Sequence, residues 1–129
     1  MKTEVMLFVR DVEVSSAWYQ ELLGARSAHG GSEYEMLTDE AGDLLFQLHK
    51  LEGDEHGVNL KDDSSPRGAG ILCYVNVEDV SQVYDKALEV GADVQGDPTF
   101  IKLAGHTEFI VKDPDGYSLA IYSRGTTVE

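Results

Sequence analysis

One order of elements occurs twice in this chain, and that repetition constrains its fold more than any other feature. Residues 4–10, EVMLFVR, alternate as a strand does, and Asp11 then offers an N-cap. The segment VEVSSAWYQELL carries Val14, Trp18 and Leu22 at helical spacing, and Gly24 stops it. Three strand candidates follow, ARSAHG, SEYEMLT and DLLFQLHK, separated by Gly30-Gly31 and by residues 39–42.

From residue 69 the same order returns. AGILCYVNV reads as a strand, and EDVSQVYDKALEV places Val80, Val83, Tyr84, Ala87 and Leu88 on one helical face before Gly91. Weaker strands are expected near residues 93–95 and 100–103, then HTEFIVK and YSLAIYS. The halves also share local sequence. Val9-Arg10-Asp11-Val12 matches Val77-Glu78-Asp79-Val80, an offset of 77 − 9 = 68, and Gly24-Ala25 matches Gly91-Ala92, an offset of 91 − 24 = 67. Between them, residues 51–68 are polar and contain Gly, Ser and Pro, as a linker does.

Alternation sorts each strand into two faces. Val5, Leu7 and Val9 form one packing face, Leu44, Phe46 and Leu48 a second, and Ile71, Cys73 and Val75 a third. In the last strand Leu119 and Ile121 point one way, while Ser118, Ala120 and Tyr122 point the other. The turn before it, Asp113-Pro114-Asp115-Gly116, has a proline to set φ and a glycine to accept positive φ.

A doubled strand-helix-three-strand module with a DPDG turn before its last strand resembles the vicinal oxygen chelate superfamily. That group includes glyoxalase I, extradiol dioxygenases and bleomycin-resistance proteins. The resemblance runs from Glu4 to Ser123 and implies an α+β fold: two tandem βαβββ modules, their sheets curled around a groove with the helices outside. Residues 1–125 are then one domain, with module one at about 1–50, the linker at about 51–68, module two at about 69–125, and residues 126–129 a tail. The groove lining expected on this basis is Glu4, Met6, Phe8, Gln47, His49, Leu72, Tyr74, Ala120 and Tyr122.

In metal-dependent members each module offers the groove one ligand from its first strand and one from its last. Carried over, that pattern falls on Glu4, Gln47, Gly70 and Ala120. Two of the four have no side-chain donor, and a carboxylate with a neutral amide is a poor site for zinc, nickel or iron. The two histidines and carboxylate of the extradiol dioxygenases are absent. The expectation is therefore no metal and no cofactor. His29 and His56, each beside a glycine, read as exposed; His106 reads as a loop or strand-start residue.

Charge narrows the partners. The formal net charge is −14 in 129 residues, which repels nucleic acid and anionic membrane and leaves a solvated acidic surface or attraction for a cationic ligand. No apolar run is long enough to cross a membrane, no leader segment is evident, and the single Cys73 forms no internal disulfide, so a cytoplasmic location is expected. The leading functional expectation is a metal-free protein of the bleomycin-resistance type that sequesters an organic ligand, aromatic or cationic, and pairs as a homodimer. Two alternatives stand beside it. One is a glyoxalase-like lyase or isomerase with a remodelled metal site at Glu4, Gln47 and His49; the other is a metal-free enzyme with Glu4 or His49 as general base.

Overall fold

In a computed structural model of the protein, residues 1–51 and 67–124 are described here. The chain divides into two compact units, Met1–Ser65 and Pro66–Glu129. The expected linker and the C-terminal tail lie almost wholly outside the described residues, as does His56.

The first unit comprises β1 (Met6–Val9), α1 (Val12–Leu23), β2 (Arg26–Ser27), β3 (Tyr34–Thr38) and β4 (Leu44–Lys50), with sheet order β1-β4-β3-β2. The second comprises β5 (Leu72–Asn76), α2 (Val80–Glu89), β6 (Asp93–Val94), β7 (Thr99–Ile101), β8 (His106–Lys112) and β9 (Ser118–Arg124). Its sheet runs β5-β9-β8-β6, and β7 pairs with β8 as well. In each unit the first strand lies parallel to the last, β1 on β4 and β5 on β9, and the other pairings are antiparallel. This is the α+β arrangement of βαβββ type. In module two the weaker strands expected near residues 93–95 and 100–103 are β6 and β7, both paired with β8, so four strands follow its helix where the βαβββ pattern has three.

The repeated local sequence has a plain physical content. Asp11 and Asp79 are both N-caps in extended conformation, accepting from Val14 N at 3.0 Å and Gln82 N at 3.2 Å. Gly24 and Gly91 both take left-handed φ, 70° and 72°, where a side chain would be strained. The matched segments are therefore start and stop signals of the two helices.

Each helix covers one face of its own sheet, but α1 presents a different stripe from the one its apolar spacing suggests. Val14 is exposed and Trp18 half-buried; the covered stripe is Val12, Ser15, Ser16, Tyr19 and Leu22. Tyr19 is fully buried with its ring 5.5 Å from Phe46, and Trp18 packs edge-on against Tyr19. The serines are inside because Ser16 donates to a buried carboxylate, Glu35, at 2.8 Å. In α2, Val80 and Ala87 are buried and Tyr84 packs on Phe109, while Leu88 is exposed.

Strand phases follow the alternation, with two end corrections. Leu7, Val9, Phe46, Leu48, Val75, Leu119 and Ile121 are buried. Val5 and Ile71 are exposed instead, because β1 begins at Met6 and β5 at Leu72, past both residues. Cys73 is half-buried; burial, with Asp113 nearby, pushes its thiol above the ordinary range, which suits a small apolar residue rather than a nucleophile. The DPDG turn closes as its residues dictate. Gly116 has φ 94° and donates to Asp113 O, and the Asp113 carboxylate accepts from Asp115 N and Tyr117 N, both at 2.9 Å.

Candidate functional site

Opposite the helix, each sheet has a second face, and strand register decides what stands on it. In the first unit Met6 pairs with Gln47 and Phe8 with His49, while Tyr34 and Met36 face the same two residues from β3. Four of the expected lining residues, Met6, Phe8, Gln47 and His49, thus come together. Phe8 lies 5.3 Å from the His49 ring, and the Tyr34 hydroxyl donates to Gln47 Oε1. His49 is buried and its Nδ1 bonds the Lys50 carbonyl at 2.7 Å. Glu4 precedes β1 and is exposed, but its charge reaches Tyr34: burial first, then Glu4 and Glu35, raise the phenol above its ordinary pKa. His29, exposed as expected, stands edge-on to Tyr34 at 4.9 Å.

Behind this face lies a residue that sequence reasoning passed over. Glu35 is 2% exposed and shares the phase of Leu37, so it points toward α1. It accepts from Ser16 Oγ, Ser27 Oγ, His29 N, Gly30 N and Met36 N at 2.7–3.1 Å. Burial by itself would raise its pKa; the hydrogen bonds from Ser27, Gly30, Ser16 and His29 outweigh it and hold the carboxyl below its usual value. Its phase was the available signal, since a carboxylate alternating with Leu37 needs donors.

In the second unit, β5, β9 and β8 place Leu72, Tyr74, Ala120, Tyr122, His106 and Glu108 on one face. Leu72 and Tyr74 are exposed, at 45% and 54%, whereas Ala120 is fully buried between Tyr74 and Ile110 in the register. The accessible side chains there are Leu72 and Tyr74, with Tyr122 half-buried. Tyr74, His106 and Tyr122 form a contiguous set, with centroids 4.6–5.9 Å apart, and the Arg124 guanidinium lies 5.4 Å from the Tyr122 centroid. His106 is a strand-start residue, one of the two readings expected for it: it opens β8, is 6% exposed, and its Nε2 is 2.7 Å from Glu108 Oε1. Tyr74 also hydrogen-bonds Glu108, and that carboxylate's charge, then burial, raise the Tyr74 pKa.

Register also revises the positions at which a metal would be held. Met6 lies opposite Gln47, and Tyr74 opposite Ala120, so Met6 and Tyr74 are equivalent. Two residues earlier stand Glu4 and Leu72. Leu72, not Gly70, is therefore the counterpart of Glu4, and Gly70 lies outside the strand. The first unit has Glu4 and Gln47 at these positions, and the second has the hydrocarbon side chains of Leu72 and Ala120. Gln47 Oε1 already accepts from Tyr34. These residues do not fit a transition metal. Among the described residues no three His, Cys, Asp or Glu side chains gather as a metal group.

A family model described as Glyoxalase/Bleomycin resistance protein/Dioxygenase superfamily matches residues 3–121. Solved structures share the fold at low identity. A glyoxalase-related enzyme from Fulvimarina pelagi is 18% identical, with 96% of this chain and 88% of that one covered, at a TM-score of 0.76. TioX from a Micromonospora species is 19% identical, with both chains wholly covered, at 0.69. A genomically encoded fosfomycin resistance protein, FosX, from Listeria monocytogenes is 14% identical, with 99% and 94% covered, at 0.71. A search of curated proteins returns no match.

Proposed function

The chain belongs to the Glyoxalase/Bleomycin resistance protein/Dioxygenase superfamily, and from that premise we propose that it binds a small organic molecule without a metal ion. The observation that carries this reading is the pair Leu72 and Ala120, which stand where the first unit has Glu4 and Gln47. What the open faces offer instead is aromatic and apolar surface with a few polar anchors, the usual chemistry of a small-molecule site. On the first unit's face Phe8 supplies a flat surface and Gln47, His49 and Glu4 polar contacts; on the second unit's face Tyr74 and Tyr122 supply flat surfaces, and each suits a sequestering role. Protein purified with neither added metal nor chelator is expected to contain no stoichiometric zinc, nickel, iron or manganese by elemental analysis. About one transition metal per chain would overturn the reading; metal lost on His49→Ala would point to the remodelled site. Native mass spectrometry of a crude lysate tests retention of an organic ligand.

We infer further that the chain assembles as a homodimer. β5 is an edge strand of its sheet, Leu72 and Tyr74 along it are exposed, and so is Ile71 just before it. An apolar edge of this kind is a liability unless covered, and a second copy is the commonest cover. Sedimentation at micromolar concentration is expected to give a species of two chains; a single-chain mass throughout would count against it.

A further inference from the structure

His106 and Glu108 stand on the second unit's open face without a task in the reading above. They are two apart in β8 and so share a face. Their side chains are little exposed, 8% and 16%, and Nε2 meets the carboxylate at 2.7 Å. A carboxylate at Nε2 draws the ring proton to that nitrogen and leaves the lone pair on Nδ1. Nδ1 has no hydrogen-bond partner among the described residues. Beside the His106 imidazole lie the rings of Tyr122 and Tyr74, at 4.6 and 5.9 Å, with Arg124 at the rim over Tyr122.

We propose that His106 is a proton-accepting group for a flat aromatic ligand bearing an acidic O–H, of the phenol or enol class, that lies against Tyr74 and Tyr122. The inference rests on the small-molecule reading and names its ligand class. In the transfer the ligand O–H bond breaks, its electron pair stays on oxygen, and the proton forms a bond to Nδ1. Glu108 stabilises the resulting imidazolium, as a carboxylate behind a catalytic imidazole does. The imidazolium and Arg124 face the oxyanion. No further reactant is required. The same geometry disfavours the cationic ligand that net charge alone suggested, because Arg124 already lies over Tyr122.

The test uses the full chain with phenol as probe, at pH 8, where the free probe is mostly protonated and an ordinary imidazole is neutral. The phenolate absorbance of bound probe is expected to be about tenfold that of free probe at low ionised fraction, the effect of a neighbouring positive charge lowering its pKa by about one unit. His106→Gln keeps a donor for Glu108 but takes no proton, and is expected to return the bound probe to the free level. Histidine nitrogen NMR of the unaltered protein is expected to show Nδ1 of His106 becoming protonated as probe is added, which keeps the test sound should His106→Gln fold poorly. Bound probe without excess phenolate, or excess that survives in His106→Gln, would overturn the proposal. So would failure to take up the probe, or binding that shifts Phe8 and His49 resonances but not His106. Those last two results leave the broader ligand-binding reading to be decided by native mass spectrometry.

Discussion

Glu35→Ala is expected to remove about 3–5 kcal/mol of folding stability, because it leaves several buried donors without their acceptor. Five donors converge on that carboxylate: two serine hydroxyls and three backbone N–H groups. A buried donor left unsatisfied costs roughly 1–3 kcal/mol, and water entering the vacated space offsets part of the sum. Against a typical total of about 5–15 kcal/mol, the loss is large. Denaturant titration measures it, and a change under about 1 kcal/mol would show that the network is dispensable. Glu35→Gln keeps the shape and one acceptor, so it should fall between the two proteins. The pH dependence has a fixed sign. The folded carboxyl titrates below its usual value, so the unfolded state binds more protons as the pH drops through that window. The stabilisation is therefore full above the ordinary Glu pKa and is lost as pH falls through the lowered folded pKa. Stability of Glu35→Gln should be flatter across the same interval.

The second large effect is expected on the packed face of β9. Leu119 and Ile121 are both fully buried, and Leu119→Ala and Ile121→Ala should each cost about 2–5 kcal/mol through lost transfer energy and the cavity left behind. Ala120, between them, makes an informative comparison. An alanine on the open face leaves room for a ligand, and on that ground enlarging it would harm binding more than folding. Its complete burial changes the expectation: Ala120→Phe should overpack the site and cost roughly 1–3 kcal/mol. If Ala120→Phe left stability unchanged while Ile121→Ala was strongly destabilised, Ala120 would be facing space that opens in solution.

Much of this protein was legible in its sequence because the relevant physics is local. N-caps at Asp11 and Asp79, left-handed glycines at 24 and 91, the DPDG turn and the alternation of LFQLHK each depend on a few consecutive residues. Together they determined the repeated order of elements, the helix bounds of α1, and the packing phase of Leu7, Phe46, Leu48, Val75, Leu119 and Ile121. Periodicity erred where a polar residue was wanted inside. The stripe of α1 turned from Val14 and Trp18 to Ser16 and Tyr19 because Glu35, on another strand, needs a donor. Strand ends erred in the same way, since Val5 and Ile71 fit the alternation but lie beyond the last ladder position.

The open faces were harder to read, and the reason is register. Alternation places His106 and Glu108 on one side of their strand, but it cannot say which residues of β9 and β5 stand beside them. Only the parallel pairing of β5 on β9 sets Tyr74 opposite Ala120, and that pairing agrees with the 68-residue offset of the repeat in matching Glu4 to Leu72 rather than Gly70. Only the antiparallel pairing of β8 on β9 sets Glu108 opposite Tyr122 and gathers His106 with two tyrosines. The sequence by itself determined what each strand presents on each face, because side-chain direction follows from a single chain's pleat. Which side chains meet was decided by tertiary structure, because hydrogen-bond register between distant strands is a property of neither strand alone.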